Sequence, residues 1–153
     1  MQWEKINVCV QKWMKQARKI ILEGRTKGLC VEEKTSRCDL VTNVDKFIEK
    51  FYVDRIRETF PNSKILGEEG EADKGLDNFK GLLWIIDPID GTMNFVKQHD
   101  HFASMIAVCE NGIEKLGYIL DVTEDKLYWG GPECGVFCND QKVEPPKNLP
   151  LEI

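Results

Sequence analysis

No stretch of the 153 residues approaches the ~20 consecutive apolar positions that a membrane-spanning helix needs, so a bilayer-embedded chain is not expected. The six cysteines (Cys9, Cys30, Cys38, Cys109, Cys134 and Cys138) form no Cys-x-x-Cys pair, which gives zinc-ribbon and thioredoxin chemistry little support. Histidine is scarce: His99 and His101 are the two, read as surface or core polar residues. An excess of basic charge is also missing. Lys and Arg total 21 against 26 Asp and Glu, and the net charge of -5 favours solubility and argues against nucleic-acid wrapping. There is no internal repeat and no low-complexity segment. Met1-Gln2-Trp3-Glu4-Lys5 leads into an amphipathic pattern and not into the apolar core of a secretory signal, so a cytoplasmic protein with reduced thiols is expected. The charge that is present is uneven, +5 over residues 1–37 and -10 over residues 38–153. The basic front reads as a solvated helix face, with a docking surface for an acidic partner as the alternative.

What the chain does contain begins with helical periodicity. Trp3, Ile6, Val10, Trp13, Ala17, Ile20 and Ile21 recur at helix spacing, which predicts an amphipathic helix ending near Glu23-Gly24. A short strand is expected near Leu29-Cys30-Val31. Thr42 with Asp45 three residues later resembles a capping box. It opens a second helix with Val44, Phe47, Ile48, Phe51, Ile56 and Phe60 on its apolar stripe, stopped by Pro61. Lys64-Ile65-Leu66 reads as a strand delivering Glu68 and Glu69 at its end, and residues 71–81 as an exposed, mobile loop. From Ala103 onward the pattern is an antiparallel meander, with Asn111-Gly112 as a two-residue hairpin signal and further strands over 115–122, 127–129 and 135–138. The fold class expected is α+β: two N-terminal helices packed on a largely antiparallel β-sheet, over residues 1–143. Residues 144–153, with three prolines beginning at Pro145, read as a tail or linker.

One stretch organises the chemistry: Leu82-Leu83-Trp84-Ile85-Ile86-Asp87-Pro88-Ile89-Asp90-Gly91-Thr92-Met93-Asn94-Phe95. Its apolar run predicts a buried strand. Asp87 stands where that strand should end, because Pro88 lacks a donor and fixes its own φ. Asp90-Gly91-Thr92 reads as a tight turn into a helix start with free backbone N–H groups. Two acids and a set of free amides suit a divalent cation and a phosphate. Taken singly, Asp45 reads as a helix N-terminal acid, Glu68 and Glu69 as a charged loop edge, and Asp87 and Asp90 as turn formers.

Trp84 to Phe95 resembles the signature of the inositol monophosphatase family, magnesium-dependent and lithium-sensitive phosphatases of small phosphomonoesters. Met93, in place of a commoner threonine, resembles bacterial-type members. The resemblance implies the first layer of that family's α/β sandwich, the N-terminal half of the longer family chain. It also implies roles. Glu68, from Gly-Glu-Glu, binds a first metal and Asp87 bridges two. The Ile89 carbonyl completes the first site and Asp90 ligates the second. Asp45, ending Asp-Leu-Val-Thr-x-x-Asp, pairs with Thr92 to orient the attacking water. Gly91 and Thr92 amides hold phosphate. Lys34 falls where the family often has a loop lysine near the metals. Two divalent cations ~4 Å apart activate the water, neutralise the phosphoryl oxygens and stabilise the leaving group; Mg2+ with its preference for hard oxygen ligands is the implied cofactor.

In the family a Trp-Asp motif supplies a further aspartate to the second metal, and nothing after Phe137 resembles it. The expected activity is Mg2+-dependent hydrolysis of a small phosphate monoester, inositol or sugar phosphate, impaired without that second half. The alternative is a non-catalytic metal-binding or partner-binding fragment. Apolar surface left uncovered predicts self-association, such as a dimer, in either case. Neither nucleic acid nor membrane is an expected partner.

Overall fold

The computed structural model describes residues 2–27, 31–33 and 40–148. Helix α1 (Gln2–Thr26) buries Ile6, Val10, Trp13, Met14, Ala17 and Ile21 along one stripe. It runs past Gly24, where the sequence suggested a stop. Gly24 is instead a packing residue: a Cβ there would lie 2.7 Å from Val44 Cγ2, so its absence lets the second helix approach. Of the strand expected near Leu29-Cys30-Val31, residues 29 and 30 lie outside the described residues, and β1 covers Val31–Glu33. It pairs antiparallel with β2 (Leu40–Thr42) as a two-stranded ribbon.

Helix α2 (Asn43–Thr59) starts on the expected capping box, the Thr42 side chain accepting from the backbone N–H groups of Val44 and Asp45. Its buried face is rotated from the expected stripe. Phe47 is 58% exposed, and the buried positions include Asp45, Glu49, Tyr52 and Ile56, spaced three and four apart. Two carboxyl groups one turn apart thus lie on the inner side of this helix. Both helices cover one sheet face. Trp13 of α1 and Phe60, just beyond α2, meet Trp84 of the sheet with ring centroids 6.0 and 5.3 Å apart.

The seven-stranded sheet runs in sequence order: β3 (Lys64–Gly67), β4 (Leu82–Asp90), β5 (Ala103–Glu110), β6 (Ile113–Asp121), β7 (Lys126–Gly131), β8 (Gly135–Cys138) and β9 (Gln141–Lys142). All neighbours are antiparallel except β3 and β4. The segment crossing between those two is tied down midway. The Asp73 N–H donates to the Ile65 carbonyl at 3.1 Å, the Asp73 carboxylate accepts from the Ile65 N–H at 2.8 Å, and Arg57 donates to Asp73 at 3.0 Å. The loop expected over residues 71–81 is therefore anchored near its start. Asn111-Gly112 makes the expected hairpin, with φ of 53° and 79°.

Strand β4 corrects a boundary. It does not end at Asp87 but continues through Pro88 to Asp90. The register to β5 shifts there: Asp87 pairs with Met105 and Asp90 with Ala103, so three steps on β4 match two on β5. Pro88 is tolerated because it falls in this bulge, where the ladder is already interrupted. The bulge also decides direction. In a regular strand, residues three apart face opposite sides. The extra residue sets Asp87 and Asp90 opposite Met105 and Ala103, which are two apart and share a side.

The other sheet face is open. Ile85, Met105, Ala107, Ile119, Tyr128 and Val136 line a shallow apolar groove on it, Ile119 being 48% and Val136 51% exposed. Residues 143–148 carry no regular structure. Among the described residues no helix is long and apolar enough to cross a membrane.

Candidate active site

The strand β4, the turn after it and the N-terminus of α2 bring the carboxyl groups singled out from the sequence into one neighbourhood. Gly91, with φ of 83°, links β4 to the short helix α3 (Thr92–Lys97). Two constraints require glycine there: the left-handed φ, and the approach of the backbone, since a Cβ would lie 3.1 Å from the His101 carbonyl oxygen. The turn places the Thr92 hydroxyl 2.9 Å from Asp45 Oδ1, with the Ile89 carbonyl oxygen at 3.0 Å as a second acceptor.

Asp45 is 1% exposed. Its Oδ2 accepts from the Thr42 N–H at 2.9 Å and from the Thr42 hydroxyl, so both carboxyl oxygens are fixed. Burial raises its pKa above the ordinary carboxyl value, opposed by the hydrogen bonds from Thr42 and Thr92. Asp45 thus completes the capping box of α2 and at the same time accepts from the Thr92 hydroxyl.

Asp87 carries the strongest electrostatic signal. Its pKa is pushed up to about 7, by burial first and then by the negative charges of Glu68, Asp90, Asp45 and Glu69. Its Oδ1 is buried without a hydrogen-bond partner. Glu68 and Asp90 are exposed at the rim, and Ile89 is buried with its carbonyl toward Thr92. A carboxylate crowded by like charges, with an unpartnered oxygen, is stabilised by a cation, and an all-oxygen donor set matches a hard divalent ion. Among the described residues no three His, Cys, Asp or Glu side chains are already closed around one point.

Lys34 lies outside the described residues. His99 and His101 stand exposed on the segment after α3, and His101 lies 3.3 Å from Asp100. Sequence reasoning passed over Glu49, which is fully buried and accepts from the Glu69 and Glu71 N–H groups. Its signal was an acid four residues after Asp45, on the same helix face.

A sequence model of the inositol monophosphatase family matches residues 2–152. The chain belongs to the inositol monophosphatase family. The inositol-1-monophosphatase of Bacillus subtilis is 46% identical over 150 residues, covering 98% of this chain and 56% of that protein. A crystal structure of an inositol monophosphatase/NADP phosphatase complexed with Mg2+ and phosphate superposes with a TM-score of 0.89 at 35% identity, over 99% of this chain and 57% of that one. A staphylococcal inositol monophosphatase-1 soaked in LiCl gives 0.89 at 36% identity, over 95% of this chain and 55% of that one. The chain thus spans about half the length of the curated relatives it matches. Its helices packed on a mostly antiparallel sheet are the inositol monophosphatase fold over that span.

Proposed function

We propose that these residues form the metal- and phosphate-binding layer of a magnesium-dependent phosphomonoesterase acting on an inositol or sugar phosphate. The observation that carries this reading is the buried, unpartnered Oδ1 of Asp87, whose pKa is raised by burial and by the negative charges of Glu68, Asp90, Asp45 and Glu69. Glu68, Asp87, Asp90 and the Ile89 carbonyl are the groups that would hold Mg2+, which when bound neutralises phosphoryl charge and makes a water nucleophilic. The remaining work falls to the chain. Thr92 gives its hydroxyl hydrogen to Asp45, which leaves the Thr92 oxygen free to accept from an incoming water. As the water passes a proton to the Thr92 oxygen, Thr92 would pass its own hydroxyl proton to Asp45, whose raised pKa suits it to receive one. The Gly91 and Thr92 amides hold the phosphate, and Asp90 meets the substrate beside its metal role. Related crystal structures complexed with Mg2+ and phosphate and with D-inositol-1-phosphate support the substrate class.

The test is calorimetric titration of the folded chain with Mg2+, alongside phosphate release from inositol 1-phosphate. Binding that disappears in Asp87→Asn is expected. A folded chain that takes up no divalent ion sinks the proposal.

A second reading rests on the open sheet face, whose Ile85, Ile119, Tyr128 and Val136 are all more than a third exposed. That surface favours self-association, with residues 1–143 as the associating unit and a cytoplasmic location.

A further inference from the structure

We propose that Glu49 is a positioning residue that locks the Gly67–Glu71 turn and thereby sets Glu68 beside Asp87. The inference rests on the metal-binding reading above. Glu49 lies on α2, one turn beyond Asp45, and is 0% exposed. Both its carboxyl oxygens are used on the turn after β3. The Glu69 N–H donates to Oε1 at 2.9 Å and Oε2 at 3.0 Å, and the Glu71 N–H donates to Oε2 at 3.0 Å. Gly67 closes the other side. A Cβ at Gly67 would lie 2.2 Å from Glu49 Oε1 and 2.7 Å from Glu49 Cδ, so the turn packs directly on the carboxyl group.

The consequence is geometric. Glu68 is an exposed side chain at the rim of the site, and its neighbours on both sides are fixed by Glu49. Helix α2 therefore sets two corners of the site: Asp45 directly, and Glu68 through Glu49. Glycine at 67 and glutamate at 49 are one steric unit, and each makes sense only with the other.

The test uses the whole chain, with Mn2+ as the probe ion, and reads amide hydrogen exchange and metal titration. In Glu49→Gln, one acceptor becomes a donor facing backbone N–H groups. Exchange at the Glu69 and Glu71 amides is expected to rise at least tenfold while β4 and β5 keep their protection. Mn2+ affinity is expected to fall five- to tenfold with the number of sites per chain unchanged; global unfolding would instead lower the number of sites. Gly67→Ala should reproduce the affinity loss, and adding it to Glu49→Ala should cost less than the two losses combined, since the smaller side chain makes room for the Cβ. Unchanged exchange at Glu69 and Glu71 in Glu49→Gln overturns the lock. Raised exchange with unchanged Mn2+ affinity overturns its link to Glu68. A wild-type chain that binds no Mn2+ removes the metal reading, and the exchange rates then decide the lock independently of it.

Discussion

Thr92 and Asp45, 47 residues apart in sequence, share a hydrogen bond of 2.9 Å. It joins the turn after β4 to the first turn of α2, and it uses the Asp45 oxygen that the capping box leaves free. One carboxyl group thus ends a helix and holds a hydroxyl in the site. The same relationship makes the two functions separable by substitution.

Thr92→Ala removes the hydroxyl and leaves the cap intact. Phosphate release is expected to fall by about two orders of magnitude, the usual scale for a positioned proton-transfer partner. Stability should fall by about 1–3 kcal/mol, because the buried Asp45 Oδ1 loses its hydrogen-bond donor. Steady-state kinetics and thermal melting of the same variant check both halves.

The pH dependence of Asp87 follows from its raised pKa. The unfolded chain releases this proton near 3.8, whereas the folded, metal-free chain keeps it to about 7. The stability contributed by the retained proton is fully present below about pH 4 and is lost as pH rises through about 7. Asp87→Asn should flatten that part of the profile. Mg2+ requires the ionised form, so the shift in melting temperature that it produces should grow between about pH 6 and 8. Melting curves across pH, with and without Mg2+, read this directly.

Gly91→Ala forces a side chain into the left-handed region and against the His101 carbonyl. A loss of about 1–2 kcal/mol from the backbone conformation is expected, with the steric term added. Denaturant titration measures it. Phosphate release should also fall, because the Gly91 and Thr92 amides proposed to hold phosphate move with the turn.

Association through the open sheet face is checked with Ile119→Glu. Ile119 is 48% exposed at the middle of the apolar groove, so a charge there breaks the patch and leaves the covered core untouched. Light scattering should show the mass of the unsubstituted chain rising with concentration and that of the variant staying constant.

Much of this was legible in the sequence, for identifiable reasons. The helices, the capping box, the Asn111-Gly112 hairpin and the turn at Gly91 depend on interactions a few residues long. Their periodicity and residue chemistry therefore show in one dimension. The set Asp45, Glu68, Asp87, Asp90 and Thr92 was legible as a family pattern. What the sequence could not settle are the facts that depend on another segment. Gly24 looked like a helix stop until Val44 was placed against it. Phe47 looked buried, and Glu49 went unremarked, because the stripe of α2 was read without its partner. Asp87 and Asp90, three residues apart, belong on opposite faces of an ordinary strand. Only pairing with β5, and the one extra residue the bulge admits at Pro88, puts both acids on the same side. The residue types of the site were written locally; the direction in which they point was decided by the register between strands.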